Sequence, residues 1–593
     1  MTTASSSRWP AFLCALILLL AALASFPVAE IGINDDWSYV HSARVLAQTG
    51  HVVYIGWDTP VLGWQLFLGA LFACLFGPSY TAIRASTLLV ALATTFLTQR
   101  TMVRIGISSR NAVIATLALV LSPLFLPLAL SFMTDIGGLF CIVLCLYACL
   151  RAVQARTDRA LLAWLAFASL SNAVGGTVRQ IAWLGVLVMF PCAVWLMRRR
   201  PHVVLAGTLL YLASVALIFT SLRWFLHQPH SESEPLLVAV SGPGQLLHLA
   251  VQLLSLLLCI ALFLIPVLIA FVTAISFRNR RTLAILLLGG FLCLAAIVPI
   301  FLYHPLTLNA LLAPFKGNYV SPFGIARTMP IKGFDPIVFS LGPRLVITFF
   351  VLVSILSFLA FLISSSRILP LARTQPPNPP TLSQATPPAI SWYSLLVLLC
   401  PFVIAYLLLL MPRGLRGDLF DRYALPLLLM GLIFLLRLYQ DRVRPCLPPA
   451  SSALVLLFAL FAVAGTHDAF STYRARQAAV SELLAAGIPD NSIDAGFEHN
   501  AIAQIERVGY ISGSHIRPPA ADNAARSSGF PDDCQPDNFW LTPVIVPGYA
   551  LSFNPAACGG LSRFPPISYR DWLARGKGAI YIVNTRKHAS TQP

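Results

Sequence analysis

Apolar runs close to the roughly 20 residues needed to cross a bilayer as a helix recur along almost all of this 593-residue chain, separated by short arginine clusters. A chain of this kind has few structural options. Hydrocarbon offers no water to the backbone N–H and C=O groups, so each run must satisfy them internally, as a helix. The expected fold class is therefore an all-α polytopic membrane protein. Lys and Arg (40) outnumber Asp and Glu (23), but the excess sits mostly between the apolar runs, where it encodes orientation. It argues for membrane lipid as the surroundings and for no nucleic-acid partner.

Orientation follows from the first runs. Arg8 precedes the run 11–28 and acids follow it, which puts the N-terminus in the cytoplasm. That run is too long for a signal-peptide core, and Pro27-Val28-Ala29-Glu30 is a poor cleavage site, so it reads as an uncleaved anchor. A short amphipathic helix is expected on the membrane surface from Asp36 to about Gln48, with Trp37, His41, Arg44 and Gln48 along one side. If the runs 61–76 and 80–98 both crossed, Arg100, Arg104 and Arg110 would lie outside. The first is therefore taken as a surface or re-entrant helix and the second as a span.

From there the runs alternate: 112–130, 136–150, 160–176, 181–196, 203–222, one ending near 277, 282–302, 345–363, 394–410, 424–439 and 450–464. The total is about thirteen transmembrane helices at bilayer length. Three units are expected: a membrane domain over 1–466, whose first outer loop is 30–79; a Pro-rich cytoplasmic linker within it, 364–391; and an outer C-terminal domain, 467–593. The tail has Gly-, Pro- and Asn-marked turns and a strand-like Ala579-Ile580-Tyr581-Ile582-Val583, so it reads as a small α+β domain. Ten cysteines lie in or beside apolar runs and read as small core residues; Cys534 and Cys558, in the polar tail, are disulfide candidates in an oxidising compartment.

This topology gathers polar groups at the outer face. Asp35 and Asp36 follow the first span, Asp135 and Arg179 lie at outer turns, and the outer loops add His304, Lys316, Arg327, Lys332, Arg413, Arg416 and Arg422. Moving a sugar from a phosphate leaving group to a hydroxyl needs a base, and Asp35 is the first choice. Asp35 and Asp135 are also candidate ligands of a divalent cation that would neutralise a departing phosphate. The plainer reading is that Asp35 and Asp36 merely occupy a helix N-terminus. Asp135, between apolar stretches, faces protein or water, as a site acid or a helix cap.

Arg413, Arg416 and Arg422 break the orientation rule, which leaves two readings: they bind a polyprenyl phosphate or they pair with Asp418 and Asp421. Arg179 is a second phosphate candidate, or the partner of Asp135. His41 and His467 are metal candidates or interfacial hydrogen-bonding residues. No glycine-rich phosphate loop, HExxH or paired CxxC occurs, which argues against a nucleotide-driven pump or a zinc protease.

Asn34-Asp35-Asp36 after the first span, a surface helix, Ser122-Pro123-Leu124-Phe125 before Thr134-Asp135, and Asp421-Arg422-Tyr423-Ala424-Leu425-Pro426 near the end occur in a particular order. That order resembles the membrane-embedded GT-C glycosyltransferases, especially the protein O-mannosyltransferase and lipid A aminoarabinose transferase group. The resemblance implies a GT-C-like membrane fold and an inverting hexosyl- or pentosyltransferase. The donor would be a polyprenyl-phosphate sugar and the acceptor a glycolipid, polysaccharide or protein, on the periplasmic side of the bacterial inner membrane. It implies Asp35 as catalytic base and Asp135 as second site acid; Asp36 is a further catalytic candidate, and Arg422 and Tyr423 are donor-site candidates. Asp36 stands where Glu is usual, and Asp58-Thr59-Pro60 has no Lys before its Pro, unlike the aminoarabinose transferases. Two rival classes are a lipid or sugar transporter or flippase, which predicts midplane ionisable residues and repeated halves, and a non-catalytic scaffold for envelope assembly.

Overall fold

The computed structural model describes residues 7–232, 238–240, 242–274, 280, 282–284, 286–291, 310–327, 331–333, 337–364, 390–511, 534–573 and 576–585. Local chemistry sets the early helices. Helix α1 (Trp9–Ala24) has Pro at its start, and α2 (Asp36–Thr49) stops at Gly50, whose left-handed φ of 73° suits a residue without Cβ. After α3 (Gly63–Phe76), Ser79 caps α4 (Tyr80–Ile105) by accepting the Ala82 N–H at 3.0 Å.

The chain continues with α5 (Ser109–Val120), α6 (Phe125–Ala129), α7 (Thr134–Val153), α8 (Asp158–Gly175), α9 (Phe190–Leu196), α10 (Pro201–Leu226) and α11 (Pro243–Val272). Then come α12 (Leu341–Ser364), α13 (Trp392–Arg416), α14 (Leu425–Arg442), α15 (Pro449–Ala485) and α16 (Phe497–Val508).

Among the described residues, nine helical segments are long and apolar enough to cross a membrane: α4, α7, α8, and α10 to α15. The chain is a multi-pass membrane protein. Leucines and phenylalanines stand exposed along α10 (Leu205, Leu209, Leu212, Phe219) and α12 (Leu345, Phe349), as lipid-facing helices require. By contrast, α7 and α14 are mostly enclosed and form the centre of the bundle. The 14-residue α3 stays too short to span. The Pro-rich linker lies almost wholly outside the described residues, as does most of the expected span 282–302.

Three expected elements differ from what is observed. The run 112–130 is broken at Ser122-Pro123, where Ser122 Oγ accepts the Phe125 N–H at 3.1 Å and opens α6. Every residue from Ala118 to Leu139 is buried, so this irregular backbone is shielded from lipid by protein. The run 181–196 begins as a 3₁₀ turn (Gln180–Trp183) and a π turn (Gly185–Met189) before α9. Asn172 is the cause: its Oδ1 takes the Val186 N–H at 2.7 Å, and its Nδ2 lies 2.5 Å from where a Cβ on Gly185 would sit. Finally, Arg413 and Arg416 lie in the last turn of α13 rather than in a loop, at the helix end where positive charge is favoured.

Helix α15 has 37 residues, about 55 Å at 1.5 Å per residue. It runs unbroken through residue 466, the expected boundary of the membrane domain. Its last turns pack Ala475, Ala479, Val480 and Leu483 against Ile493, Leu551, Ile580 and Ile582. These belong to a four-stranded sheet ordered β3-β4-β6-β5, built from β3 (Ile493–Asp494), β4 (Tyr549–Ser552), β5 (Ile567–Asp571) and β6 (Gly576–Asn584). The expected strand 579–583 lies within β6. A small hairpin, β1 (Val320–Ser321) and β2 (Gly324–Ile325), precedes α12. Cys534 and Cys558 form a disulfide with their Cα atoms 5.2 Å apart.

Candidate functional site

Asn34 adopts a left-handed conformation (φ 54°), which Asn tolerates better than most residues, and the two acids after it point to different places. Asp36 turns inward. Its carboxylate accepts Arg84 Nε at 2.8 Å and Nη2 at 3.0 Å, the Ile33 N–H at 2.7 Å and the Phe132 N–H at 3.2 Å. Arg84 also donates to the carbonyls of Ala29 and Ile31 at 3.0 and 2.7 Å. Asp36, a catalytic candidate by sequence, is buried and saturated, and it pins α2 to α4 and to the segment before α7.

Asp35 turns outward, with its side chain 20% exposed. Trp57 Nε1 donates to its Oδ1 at 3.1 Å and Arg422 Nη2 to its Oδ2 at 3.1 Å. Asp135, at the start of α7, is paired with Arg179 through Oδ1, and its Oδ2 lies 3.9 Å from Arg422 Nη1. Arg422 thus joins Asp35 to Asp135, and the acids it faces are these two rather than Asp418. Arg179 and Arg422 lie 5.2 and 5.8 Å from the ring centre of Tyr423, and Arg413 and Arg422 lie 5.6 and 5.1 Å from that of Phe420. Arg413 therefore stands one ring away from the centre, whereas Arg416 is exposed at the end of α13 and makes none of these contacts. A small cavity beneath the cluster is lined by Asp135, Gly138, Arg179, Tyr406 and Arg422.

Asp421 fixes the wall opposite. Its Oδ2 accepts the N–H groups of Tyr319 and Val320 at 2.8 and 2.7 Å, which holds the β1–β2 loop against the site, and Asn34 Nδ2 reaches Asn318 Oδ1 at 3.4 Å.

Trp57 and Asp58 are site residues that sequence reasoning missed, although an acid close in sequence to Asp35 was the available signal. Asp58 is fully buried and accepts Ser38 Oγ at 3.0 Å. Burial pushes its carboxyl up to about 7, and the charge of Asp35 adds to the rise.

The remaining loop cations go elsewhere. Lys316 is buried and bonded to Gln252, and burial lowers its ammonium to about 8. Arg327 pairs with Asp571, and Lys332 lies 3.6 Å from Asp494 and 3.8 Å from Asp537, all in the C-terminal domain. His304 lies outside the described residues. His41, on the mostly buried α2, is lowered by burial, and His467 stacks on Trp572 at 3.7 Å and meets Asp468 at 3.0 Å. A divalent cation shared by Asp35 and Asp135 does not fit, because the Arg422 guanidinium already stands between them. Among the described residues no three His, Cys, Asp or Glu side chains converge.

Chemically, the cluster sets one accessible carboxylate beside two arginines at the mouth of a helical bundle. Residues 58–224, which supply Asp58, Asp135 and Arg179, match the sequence model of the family described as dolichyl-phosphate-mannose-protein mannosyltransferase. The chain resembles the protein O-mannosyltransferases. The matched segment runs from the loop between α2 and α3 into α10 and leaves Asp35 and Arg422 outside it.

Three solved structures match the chain, at low identity and low TM-score. The Saccharomyces cerevisiae protein O-mannosyltransferase Pmt1-Pmt2 complex bound to the sugar donor is 12% identical at a TM-score of 0.32, over 40% of this chain and 35% of that one, so the chain matches about a third of its length. ArnT from Cupriavidus metallidurans bound to undecaprenyl phosphate is 14% identical at 0.38, over 97% of both chains. The oligosaccharyltransferase AglB from Archaeoglobus fulgidus, in complex with an inhibitory peptide and a dolichol-phosphate, is 16% identical at 0.35, over 81% of this chain and 58% of that one. No curated protein matches the chain.

Proposed function

We propose that this protein is an inverting glycosyltransferase that moves a hexosyl or pentosyl residue from a polyprenyl-phosphate carrier to a hydroxyl on a glycolipid, polysaccharide or protein. In this reading the N-terminus is cytoplasmic, and the site and C-terminal domain face the periplasm of a bacterial inner membrane. The observation that carries it is the environment of Asp35: a partly exposed carboxylate held from one side by Trp57 and from the other by Arg422, with Arg179 5.2 Å from the ring centre of Tyr423. Asp35 takes the acceptor's hydroxyl proton as the oxygen attacks the anomeric carbon. The bond from that carbon to the phosphate oxygen breaks, and the polyprenyl phosphate leaves with the electron pair, its charge met by Arg422 and Arg179. A double displacement would need a second free carboxylate as nucleophile. Asp135 is 2% exposed at its side chain and bound to Arg179, which favours the single, inverting step.

The decisive substitution is Asp35→Asn, assayed with labelled polyprenyl-phosphate sugar in membranes. Transfer is expected to fall by roughly 10²–10⁴-fold at unchanged protein level, and retained transfer removes the proposed base. Because two arginines supply the positive charge, transfer is expected to persist in the presence of a chelator.

A further inference from the structure

The outer loop that carries β1 and β2 belongs to two places at once. At its start Tyr319 and Val320 donate their N–H groups to Asp421, the residue before Arg422. At its far end the Lys332 N–H donates to the Leu551 carbonyl at 3.0 Å and the Phe553 N–H to the Lys332 carbonyl at 2.8 Å, so the loop ends on the C-terminal sheet beside β4. Between them sits Arg327, 4% exposed. Its Nη2 donates to the Asp468 carbonyl in α15 at 3.0 Å, to Thr472 Oγ1 at 2.8 Å and to Asp571 Oδ1 in β5 at 2.7 Å. The preceding residue continues the path: Tyr473 OH donates to the Ala326 carbonyl, and the Ala326 N–H donates to the Tyr319 carbonyl at 2.7 Å. Bonded contacts and the chain itself therefore connect Asp571 in the outer domain to Arg422 in the cluster.

We propose that Arg327 is a positioning residue for the transfer reaction, tying the C-terminal domain to the loop whose amides, through Asp421, set Arg422 against Asp35. The role rests on the transferase reading. It also couples the C-terminal domain to the site, because whatever loads or moves that domain is felt at Arg422 through a rigid, buried hydrogen-bonded strut. A merely structural Arg327 would hold the domain in place without affecting the cluster.

The test uses the full-length protein in lipid nanodiscs, as wild type, Arg327→Met and Arg327→Lys. Hydrogen exchange is followed at the amides of Tyr319, Val320 and Arg422, and kcat and KM are measured for a polyprenyl-phosphate sugar. In Arg327→Met, exchange at those amides is expected to rise and kcat to fall, each by about tenfold, with KM changed by less than about twofold. Arg327→Lys, which restores the charge but not the fork of donors, is expected to recover part of both. If Arg327→Met does not reach the membrane, Asp571→Asn, which leaves the Asp468 and Thr472 acceptors in place, carries the same comparison. Unchanged exchange at Tyr319 and Val320, or faster exchange with unaltered kcat, overturns the proposal. If the wild-type protein transfers no sugar, the transferase reading falls, while the exchange data still decide whether Arg327 restrains the Arg422 loop.

Discussion

Two arginine–carboxylate clusters sit side by side, built from adjacent acids, and they differ in how completely they are satisfied. Around Asp36 the structure is closed. Arg84 and Asp36 have side chains 3% and 0% exposed, and Asp36 accepts two bonds from Arg84 and two from backbone amides. Around Asp35 it is open: the acid is 20% exposed, Arg422 reaches Asp135 only at 3.9 Å, and Asp135 Oδ2 and Arg422 Nε are buried without a hydrogen bond. A saturated buried network specifies structure, whereas one with spare donors and acceptors is costly unless a ligand or water uses them. Position in sequence would assign both acids one role; satisfaction separates them.

The sharpest way to break this contrast is to remove the arginine from each cluster. Arg84→Ala leaves Asp36 buried and unpaired, at a cost of about 3–5 kcal/mol. It should be seen as a large fall in membrane-inserted protein and in the thermal unfolding midpoint of whatever is purified. Arg422→Gln should leave the protein in place, because Asp135 keeps Arg179 and Asp35 keeps access to water, while transfer is lost. If both variants deplete the protein equally, the distinction between closed and open clusters disappears.

How much of this was legible in the sequence depends on the range of the force involved. Apolar run length is a local property and a bilayer reads it directly, so the helical membrane fold and the short α3 were readable; the strand within β6 was readable from an equally local signal, β-prone residues between turn residues. The orientation rule also brought Asp35, Asp135, Arg179 and Arg422 to one side, although it did not say which acid pairs with which arginine. Asp36 and Arg84 are 48 residues apart, and Arg84 sits in an apolar helix where nothing in the run marks its partner. The break at Ser122 and the π turn at Gly185 depend on what packs against them: Asn172, on a different helix, sets the second. Helix α15 runs past the boundary expected at 466 because a helix can leave the membrane without ending, and its composition changes where its backbone does not.

A second test concerns Asp58, the buried acid near the open cluster, which is faced by Ser38, Tyr39, Tyr54 and Asp35. Its folded pKa, about 7, stands above the ordinary 3.8. Between those values the folded chain keeps a proton that the unfolded chain has released, so stability is complete below about pH 4 and declines as pH rises towards 7. Asp58→Asn cannot ionise. It should match the wild type at pH 4 and exceed it at pH 8 by on the order of 2–4 kcal/mol, at about 1.4 kcal/mol per pKa unit. Thermal midpoints at the two pH values check this. A wild type whose midpoint does not fall between them would mean that Asp58 has an ionised state with a partner, and that the open cluster is better satisfied than its bonds suggest.

The smallest expected effect tests whether the open cluster is rigid in its backbone although its charges are not fully paired. Tyr406 OH donates to the Tyr423 carbonyl at 2.9 Å, inside the 3₁₀ turn Asp421–Ala424 that carries Arg422, and Tyr406 is 1% exposed. Tyr406→Phe removes one neutral hydrogen bond, worth about 1 kcal/mol, and leaves the ring packing unchanged. If the turn is held mainly by Asp421 and its two loop amides, the unfolding midpoint should drop slightly and transfer should fall by less than about threefold, far below the loss in Arg422→Gln. A loss of transfer as deep as that of Arg422→Gln, at normal protein level, would place the control of the guanidinium on the membrane side of the turn. The division between a saturated structural cluster and a ligand-ready one would then have to be redrawn to include α13.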